Sequence, residues 1–464
     1  MNDRILALDL GTSSVRGLVL DAAARPLPGL LARRKANLTV TADGAATIDP
    51  AGYLAGLTEC LDELHAAGHL DGVGLVAASA SWHSVLPLRP DGSPAAPVLT
   101  WLDSRPEPTA GRAGPAAGQA GPAAGQAGPA DAAAFHARTG AWWHGLYWNV
   151  RLPWLRERLG ADAARFVGLP EFLLGELLEE APMSVSQASG TGLLDLRTLD
   201  WDDEACALAG AAPAELPTLA PAGWRGRLRA TAARRWPALR DADWAAPVGD
   251  GAASNMGSGG VDACRAAVTV GTSAAVRLVQ AAPAGAPLPP LPSGLWRYRV
   301  DHDRIVTGAA YSNGGNLYAW ARRELCLPDG PALEEALATR AVTARPRADP
   351  RLGGDRPPGR TPAGSGSLDG IGFATTAVDL LAALLSAVCR QVAEDVVEIE
   401  SILDQPVAVA LGGGAVAASS WWRAEFRAAL APRQVIDVAE PEVGAIGAAM
   451  IATGRAGANT RPKG

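Results

Sequence analysis

The sequence predicts an α/β protein of two domains. Three observations carry this. A strand–Gly-Thr-Ser–strand pattern occurs twice, once in each half: residues 5–10, Gly11-Thr12-Ser13-Ser14 and 15–20, then residues 266–270, Gly271-Thr272-Ser273 and 274–278. Short apolar runs that read as buried strands, 73–80 and 407–411, alternate with helical stripes such as Leu381, Leu384, Leu385, Val388, Val392, Val396 and Ile399. The chain, at 464 residues, is too long for one ordinary core, and an apolar fraction of 48% fills two.

Composition excludes several classes of partner and chemistry. A net charge of −7 argues against nucleic acid and against an anionic membrane surface. No apolar stretch is long enough to span a bilayer, and the opening Met-Asn-Asp-Arg with its apolar run broken by Asp9 is not a signal-peptide pattern. The expected compartment is the cytoplasm. Cys60, Cys206, Cys264, Cys326 and Cys389 are odd in number and scattered, which suggests free core thiols rather than disulfides or a metal site. Only Lys35 and Lys463 are lysine, and neither lies in a Gly-Lys-Ser/Thr sequence, so a P-loop is absent. A His-Arg-Asp kinase signature is absent too.

In chain order, the first hairpin offers backbone N–H groups and three hydroxyls at its tip, beside Asp9. Such a tip can cradle phosphate oxygens while the carboxylate holds a hydrated Mg²⁺; an ordinary turn is the plainer reading. Residues 73–80 run into Ser81-Trp82-His83-Ser84, a polar cluster at a strand end, where open α/β sheets bind ligands. Residues 98–105 end in Trp101, Asp103 and Arg105, which suit a hydroxylated substrate or form a rim salt bridge. Residues 111–131 hold Gly-Pro-Ala-Ala-Gly-Gln-Ala in tandem and read as a disordered insertion. Trp142, Trp143, His144, Tyr147, Trp148 and Trp154 crowd the next segment, as core or as a sugar-stacking wall. Residues 216–244, rich in Pro, Ala and Arg, read as connection.

Halfway along, Gly249-Asp250-Gly251 sets one carboxylate on a glycine turn, open to a ligand's approach. Tyr311-Ser312-Asn313-Gly314-Gly315-Asn316 opens a helix. Residues 339–367 form a long Arg/Pro/Gly loop. Thr376-Ala377-Val378-Asp379 is a capping box ahead of the striped helix. Residues 407–411 lead into Gly412-Gly413-Gly414-Ala415, and 444–452 form a small-residue helix.

Taken together, these residues resemble the FGGY carbohydrate kinases. The markers fall in the family's order: Leu-Asp-Leu-Gly-Thr-Ser-Ser-Val-Arg from Leu8, Trp-Leu-Asp-Ser-Arg from Trp101, Gly-Asp-Gly-Ala from Gly249, Val-Gly-Thr-Ser from Val270 and Leu-Gly-Gly-Gly-Ala from Leu411. The resemblance implies an α/β fold of two actin- or ribonuclease-H-like domains with the catalytic cleft between them. Residues 1–246 would form the sugar-binding domain and 247–453 the nucleotide-binding domain, with a disordered tail over 454–464. ATP would lie on Gly11, Thr12, Ser13, Arg16, Gly271, Thr272, Ser273, Gly315, Gly413 and Gly414, with Mg²⁺ on Asp9 through water. Asp250 would be the general base, and Trp82, His83, Trp101, Asp103 and Tyr147 would contact the sugar. The expected partner is a small sugar or sugar acid, with a homodimer left open.

The chain departs from the family's pattern at Ser184-Val185, usually Thr-Asp, at Gly354-Asp355-Arg356, usually Gly-Glu-Arg, at Ala319, and in the alanine-rich stretch after Gly414. These positions bear on adenine contacts more than on phosphate chemistry. Phosphoryl transfer is mostly positioning and charge neutralisation, which backbone amides, hydroxyls and Mg²⁺ supply without a lysine. The texture of residues 81–84, 139–154 and 188–201 is similar to gluconate kinases, and His83, His144 and Arg105 are candidates to meet a sugar-acid carboxylate. A neutral ketose or polyol such as xylulose is the second reading. An actin-fold ATPase acting on a protein partner is a third.

Overall fold

The computed structural model describes residues 3–106, 128–340, 346–354, 356, 365–403 and 405–454. The tandem Gly-Pro-Ala repeat and the last ten residues therefore lie outside the described residues. Residue 131, counted with the insertion in the sequence, caps the helix Ala132–Thr139: the Asp131 carboxylate accepts from the Ala133 and Ala134 amides.

Two mixed sheets organise the chain. In the first, the strand Arg4–Leu10 lies between Ser14–Leu20, antiparallel to it, and Val73–Ala80, parallel to it. Pro26–Lys35 extends the sheet on the hairpin side, and Asp243–Ala245 and Arg225–Gly226 extend it on the other. The second sheet repeats the plan. Arg265–Val270 lies between the antiparallel Ala274–Ala281 and the parallel Ala408–Gly412, flanked by Arg304–Tyr311 and Val435–Asp437 in turn. The two expected hairpins are therefore the hearts of two like-ordered sheets.

Alternation along each strand sorts its side chains between two cores. Leu6, Leu8 and Leu10 enter a core with Leu57, Leu61 and Leu64 of the helix Pro50–Ala66. Ile5 and Ala7 face the other way, into a core that also takes Val279, Trp296 and Tyr298 from the second sheet. Asp9 continues that second row, so strand alternation turns its carboxylate toward the junction of the two halves.

Two small-residue helices, Asp250–Gly257 and Val443–Ala452, fill this junction. They cross almost backbone to backbone. A Cβ on Gly447 would stand 1.7 Å from the Ala253 carbonyl oxygen, and one on Gly257 would stand 2.0 Å from that of Val443. Small residues within 444–452 are thus a packing requirement, at Gly447 above all.

The capping box forms as expected: the Asp379 carboxylate accepts from Thr376 N–H at 2.9 Å, and Thr376 Oγ1 accepts from Asp379 N–H at 3.2 Å. The helix Ala377–Leu403 buries the expected stripe against the second sheet.

Other expectations are corrected. Residues 216–244 are not mere connection, because Arg225–Gly226 and Asp243–Ala245 are strands of the first sheet and Trp244 is buried in its core. Within 339–367, Arg347–Asp349 pairs with Ser367–Asp369. Three of the five free thiols are buried, but Cys264 and Cys326 are exposed. Asp250 does not sit on a turn: the strand Val248–Gly249 pairs beside Val73–Ala80, and Asp250 is the first residue of the helix that follows.

Candidate active site

Gly249 and Gly251 both have ordinary negative φ, so left-handed backbone is not what glycine supplies here. The indole of Trp82 lies against this backbone. A Cβ on Gly249 would come within 1.8 Å of the ring, and one on Gly251 within 2.4 Å. Trp82 is itself buried, donates from Nε1 to Ser186 O at 2.9 Å, and packs edge-on to Tyr298 at 4.9 Å. The expected sugar contact is thus a floor that presses on the segment carrying Asp250. The Gly249 amide donates to Ser186 Oγ at 3.0 Å, which pins the junction from the other side.

Asp250 remains partly open to the cleft. Burial holds its carboxyl above the ordinary aspartate value; the positive charge of Arg277 opposes this, as does the Gly251 amide, which donates to Oδ1 at 2.8 Å. Asp9 is pushed up to about 6, chiefly by burial, with Arg16 pulling down and with Asp250 and Glu442 raising it further. Arg16 stands opposite Asp9 on the neighbouring strand, 3.9 Å from its carboxylate and 3.0 Å from Glu442. The expected base and the expected metal ligand therefore feel each other's charge across the junction.

The phosphate-loop candidates gather in two sets. At the first tip, Gly11 N–H donates to Ser14 O at 3.1 Å, and Tyr53 OH donates to Gly11 O at 2.8 Å. Thr12 Oγ1 accepts from Trp101 Nε1 at 3.0 Å and lies 3.1 Å from Ser81 Oγ, which ties the tip to the expected sugar side. At the second tip, the N-terminus of the helix Gly315–Glu324 grips the loop: Gly315 N–H donates to Gly271 O at 2.7 Å, and Asn316 N–H donates to Thr272 O at 3.1 Å. Gly413, with φ of 105°, follows the adjacent strand and lies against Val270. Gly271, Gly315, Gly413 and Gly414 thus form one glycine-lined wall, with Thr272 exposed at its rim.

The sugar-side candidates divide. Trp101 is at the surface of the cleft. His83 sits at φ 68°, a costly conformation for a non-glycine residue, with Nδ1–H donating to Gly190 O at 2.6 Å. Burial holds its pKa down at about 3, so the ring is neutral, and His144 is likewise held at about 4. Tyr147 is fully buried, with its hydroxyl 2.8 Å from that of Tyr298. Asp103 is buried and spent on Ala46 N–H at 3.1 Å and on both sides of the Arg105 guanidinium, at 3.0 and 2.6 Å. His83, His144 and Arg105, expected to meet a carboxylate, carry no spare positive charge.

Of two arginines near Asp250, Arg277 escaped the sequence reading and Arg356 entered it only as part of a departure from the family's pattern. Arg277 projects from the strand Ala274–Ala281, and its Nε lies 2.9 Å from where a Cβ on Gly251 would stand. Arg356 stacks on the Trp101 ring at 4.3 Å and shares in the electrostatics of Asp250, Arg277 and Tyr298. One signal for Arg277 was present: Gly-Thr-Ser is followed shortly by Val-Arg in both hairpins, giving Arg16 once and Arg277 once. A cavity of about 490 Å³ opens beside Arg356, lined by Tyr311, Asn313, Arg390 and Asp395.

The donor set fits a nucleotide triphosphate: two glycine-rich tips with hydroxyls, next to acids. It also fits a divalent cation held loosely. Among the described residues no three His, Cys, Asp or Glu side chains group as a metal site, so Asp9 would share such an ion with water and phosphate.

Comparison with known proteins agrees with this geometry. The gluconokinase of Bacillus subtilis (strain 168) is 25% identical over 367 residues, covering 76% of this chain and 68% of its own. The xylulose kinase of Streptomyces coelicolor is 28% identical over 463 residues, covering 97% and 87%. Among solved structures, a gluconate kinase from Lactobacillus acidophilus superposes with a TM-score of 0.81 at 22% identity, covering 97% of this chain and 88% of that one. A ligand-bound xylulose kinase from the same organism gives 0.82 at 21%, covering 97% and 89%. The fold is thus the two-domain actin- and ribonuclease-H-like fold of these kinases. Residues 4–257 match the N-terminal domain of the FGGY family of carbohydrate kinases, and residues 266–455 match its C-terminal domain. With both halves matched in order, this chain belongs to the FGGY family of carbohydrate kinases.

Proposed function

We propose that this kinase transfers the γ-phosphoryl group of ATP to a terminal hydroxyl of a sugar acid, gluconate in the first instance, giving 6-phosphogluconate. The observation that carries the reading is the position of Asp250: one partly open carboxylate at the junction of the two sheets, electrostatically coupled to Asp9 beside the first glycine tip. A base must come within hydrogen-bond reach of the attacking hydroxyl, and a residue at the seam of two closing halves can do so. Asp250 takes the hydroxyl proton as the oxygen attacks the γ-phosphorus. Thr12, Ser13, Thr272 and Ser273 with their backbone amides hold the phosphates, and Arg16, Gly315, Gly413 and Gly414 complete the nucleotide's surroundings. Mg²⁺, when bound through water to Asp9, neutralises phosphate charge. Closure excludes water as a competing acceptor.

The similarity to gluconokinases supports the acid substrate. The second reading, a neutral ketose such as xylulose, is favoured by the similarity to Streptomyces xylulose kinases over 97% of the chain. A coupled ADP-release assay over aldonates, ketoses and polyols tests both. Turnover with gluconate well above every neutral sugar is expected. Turnover confined to xylulose overturns the first reading, and ADP release independent of any sugar overturns both.

A further inference from the structure

The three fully buried arginines among the described residues are well supplied with acceptors. Arg151 donates to the carbonyls of Gly145, His83 and Asp103 at 2.8, 2.8 and 3.2 Å. Arg297 donates to Thr307 Oγ1, Pro289 O and Pro290 O, and Arg299 spends its guanidinium on Leu196 and Ala282 carbonyls. This is the rule for a buried cation, since an unpaired one is strongly destabilising. Nearer the cleft, Arg105 is bound to Asp103 and Arg16 to Glu442.

The half-buried Arg277 is supplied differently. Its Nε is sealed from solvent without a hydrogen-bond partner, and the guanidinium forms no ion pair among the described residues. Arg156 and Arg265 also carry a sealed, unpartnered Nε, but Arg156 pairs with Glu215 and Arg265 donates to Gly259 O, whereas Arg277 makes neither kind of side-chain contact among the described residues. Asp250 influences it without closing to salt-bridge distance. Arg356 is the second such cation: its guanidinium carbon lies 4.3 Å from the centre of the Trp101 ring, it has no ion pair among the described residues, and it feels both Arg277 and Asp250. Burial and mutual repulsion hold Arg356 down at about 10, still charged at neutral pH. Two cations stand near one carboxylate, His83 is neutral, and among the described residues the surplus positive charge has no counter-ion in place.

We propose that Arg277 and Arg356 form an anion pocket that selects substrates bearing a carboxylate, so that the enzyme's substrate class is the sugar acids. The guanidinium fork is suited to a planar carboxylate, and the Trp101 ring beneath Arg356 gives one of the two forks a neighbour to rest on. A neutral polyol of the same carbon skeleton would enter and leave both cations unpaired, and a site built around an unmet polar group rejects a ligand that cannot meet it. The inference rests on the kinase reading above but does not require gluconate itself.

The test compares gluconate with glucitol, the neutral polyol of the same skeleton, and adds other aldonates and uronates. It uses the full-length enzyme and the variants Arg277→Gln, Arg277→Lys and Arg356→Gln. The wild-type enzyme is expected to prefer the acid in kcat/KM. In the glutamine variants the acid-to-neutral ratio should fall by about 100-fold or more, mostly through KM for the acid. A melting curve for each variant establishes folding. Should Arg277→Gln not fold, Arg277→Lys and Arg356→Gln carry the test, with a smaller fall expected for lysine. An equal loss for acid and neutral substrates overturns the proposal, because the arginines would then be serving Asp250. So does a wild-type enzyme that phosphorylates neutral sugars and is not inhibited by any aldonate. If another sugar acid is the substrate and its use depends on the arginines, gluconate falls and the anion pocket stands.

Discussion

Asp250 and Asp9 make opposite demands on pH. A raised carboxyl pKa means that the proton-accepting form of Asp250 disappears, as pH falls, at a higher pH than for a free aspartate. The acid limb of kcat/KM should therefore lie above 3.8, the ordinary value. A limb at or below it removes Asp250 as the titrating base. Asp250→Asn should fold and bind ATP, as read by melting temperature and nucleotide titration, yet lose about 10²–10⁴-fold in turnover. Full activity in that variant would refute the role. Asp9 offers a stability test. Its folded-state pKa of about 6 lies above the unfolded value, so the folded chain holds a proton that the unfolded chain releases, and stability falls as pH rises from about 4 to about 6. Above that window the ionised, desolvated carboxylate costs at most about 3 kcal/mol, with the opposing pull of Arg16 already counted. Asp9→Asn should raise the melting temperature at pH 7.5 in EDTA and lose that advantage near pH 4. An unchanged or lowered melting temperature at pH 7.5 removes the argument.

At the scale of elements, legibility followed length and pattern. The helix Ala377–Leu403 and its capping box were readable because a seven-residue apolar stripe and a Thr-x-x-Asp start are both local signals. The strands Arg225–Gly226 and Asp243–Ala245 were not, since two or three residues cannot show a period of two. The Gly-Asp-Gly segment was legible as a site but not as a strand–helix junction. Its glycines are explained by Trp82, which is more than 160 residues away in sequence. Likewise Arg277 is an ordinary residue in sequence and Arg356 showed only as part of a loop pattern, and only tertiary folding leaves both half-buried without an ion pair among the described residues. The small-residue helix Val443–Ala452 was visible, yet its reason was not. Gly447→Ala would put a methyl group into the Ala253 carbonyl, so it should destabilise the fold by about 1–3 kcal/mol of overpacking, or more if the backbone cannot shift. A melting temperature within a degree of wild type would mean that the crossing is looser than described.

For the whole molecule, the repeated hairpin was the strongest signal available before any coordinates. It indicated two halves of one design, and two sheets of the same strand order follow from it. What repetition did not reveal is how the halves share work: the row Ile5, Ala7 and Asp9 of one half and Val279, Trp296 and Tyr298 of the other meet in a common core. Cleft closure around ATP and sugar should reduce the radius of gyration in small-angle scattering. An unchanged radius at saturating ligand would argue against closure.

Meshed side chains normally lock two packed helices at one angle, because ridges must climb out of grooves before either rod can turn. At Gly447 and Gly257 there are no teeth to mesh: carbonyl rests on bare α-carbon. The joint between the halves is therefore a smooth bearing. A few degrees of roll there would be magnified at the hairpin tips, so the two tips proposed to hold the nucleotide would open and shut with hardly a contact exchanged at the axle.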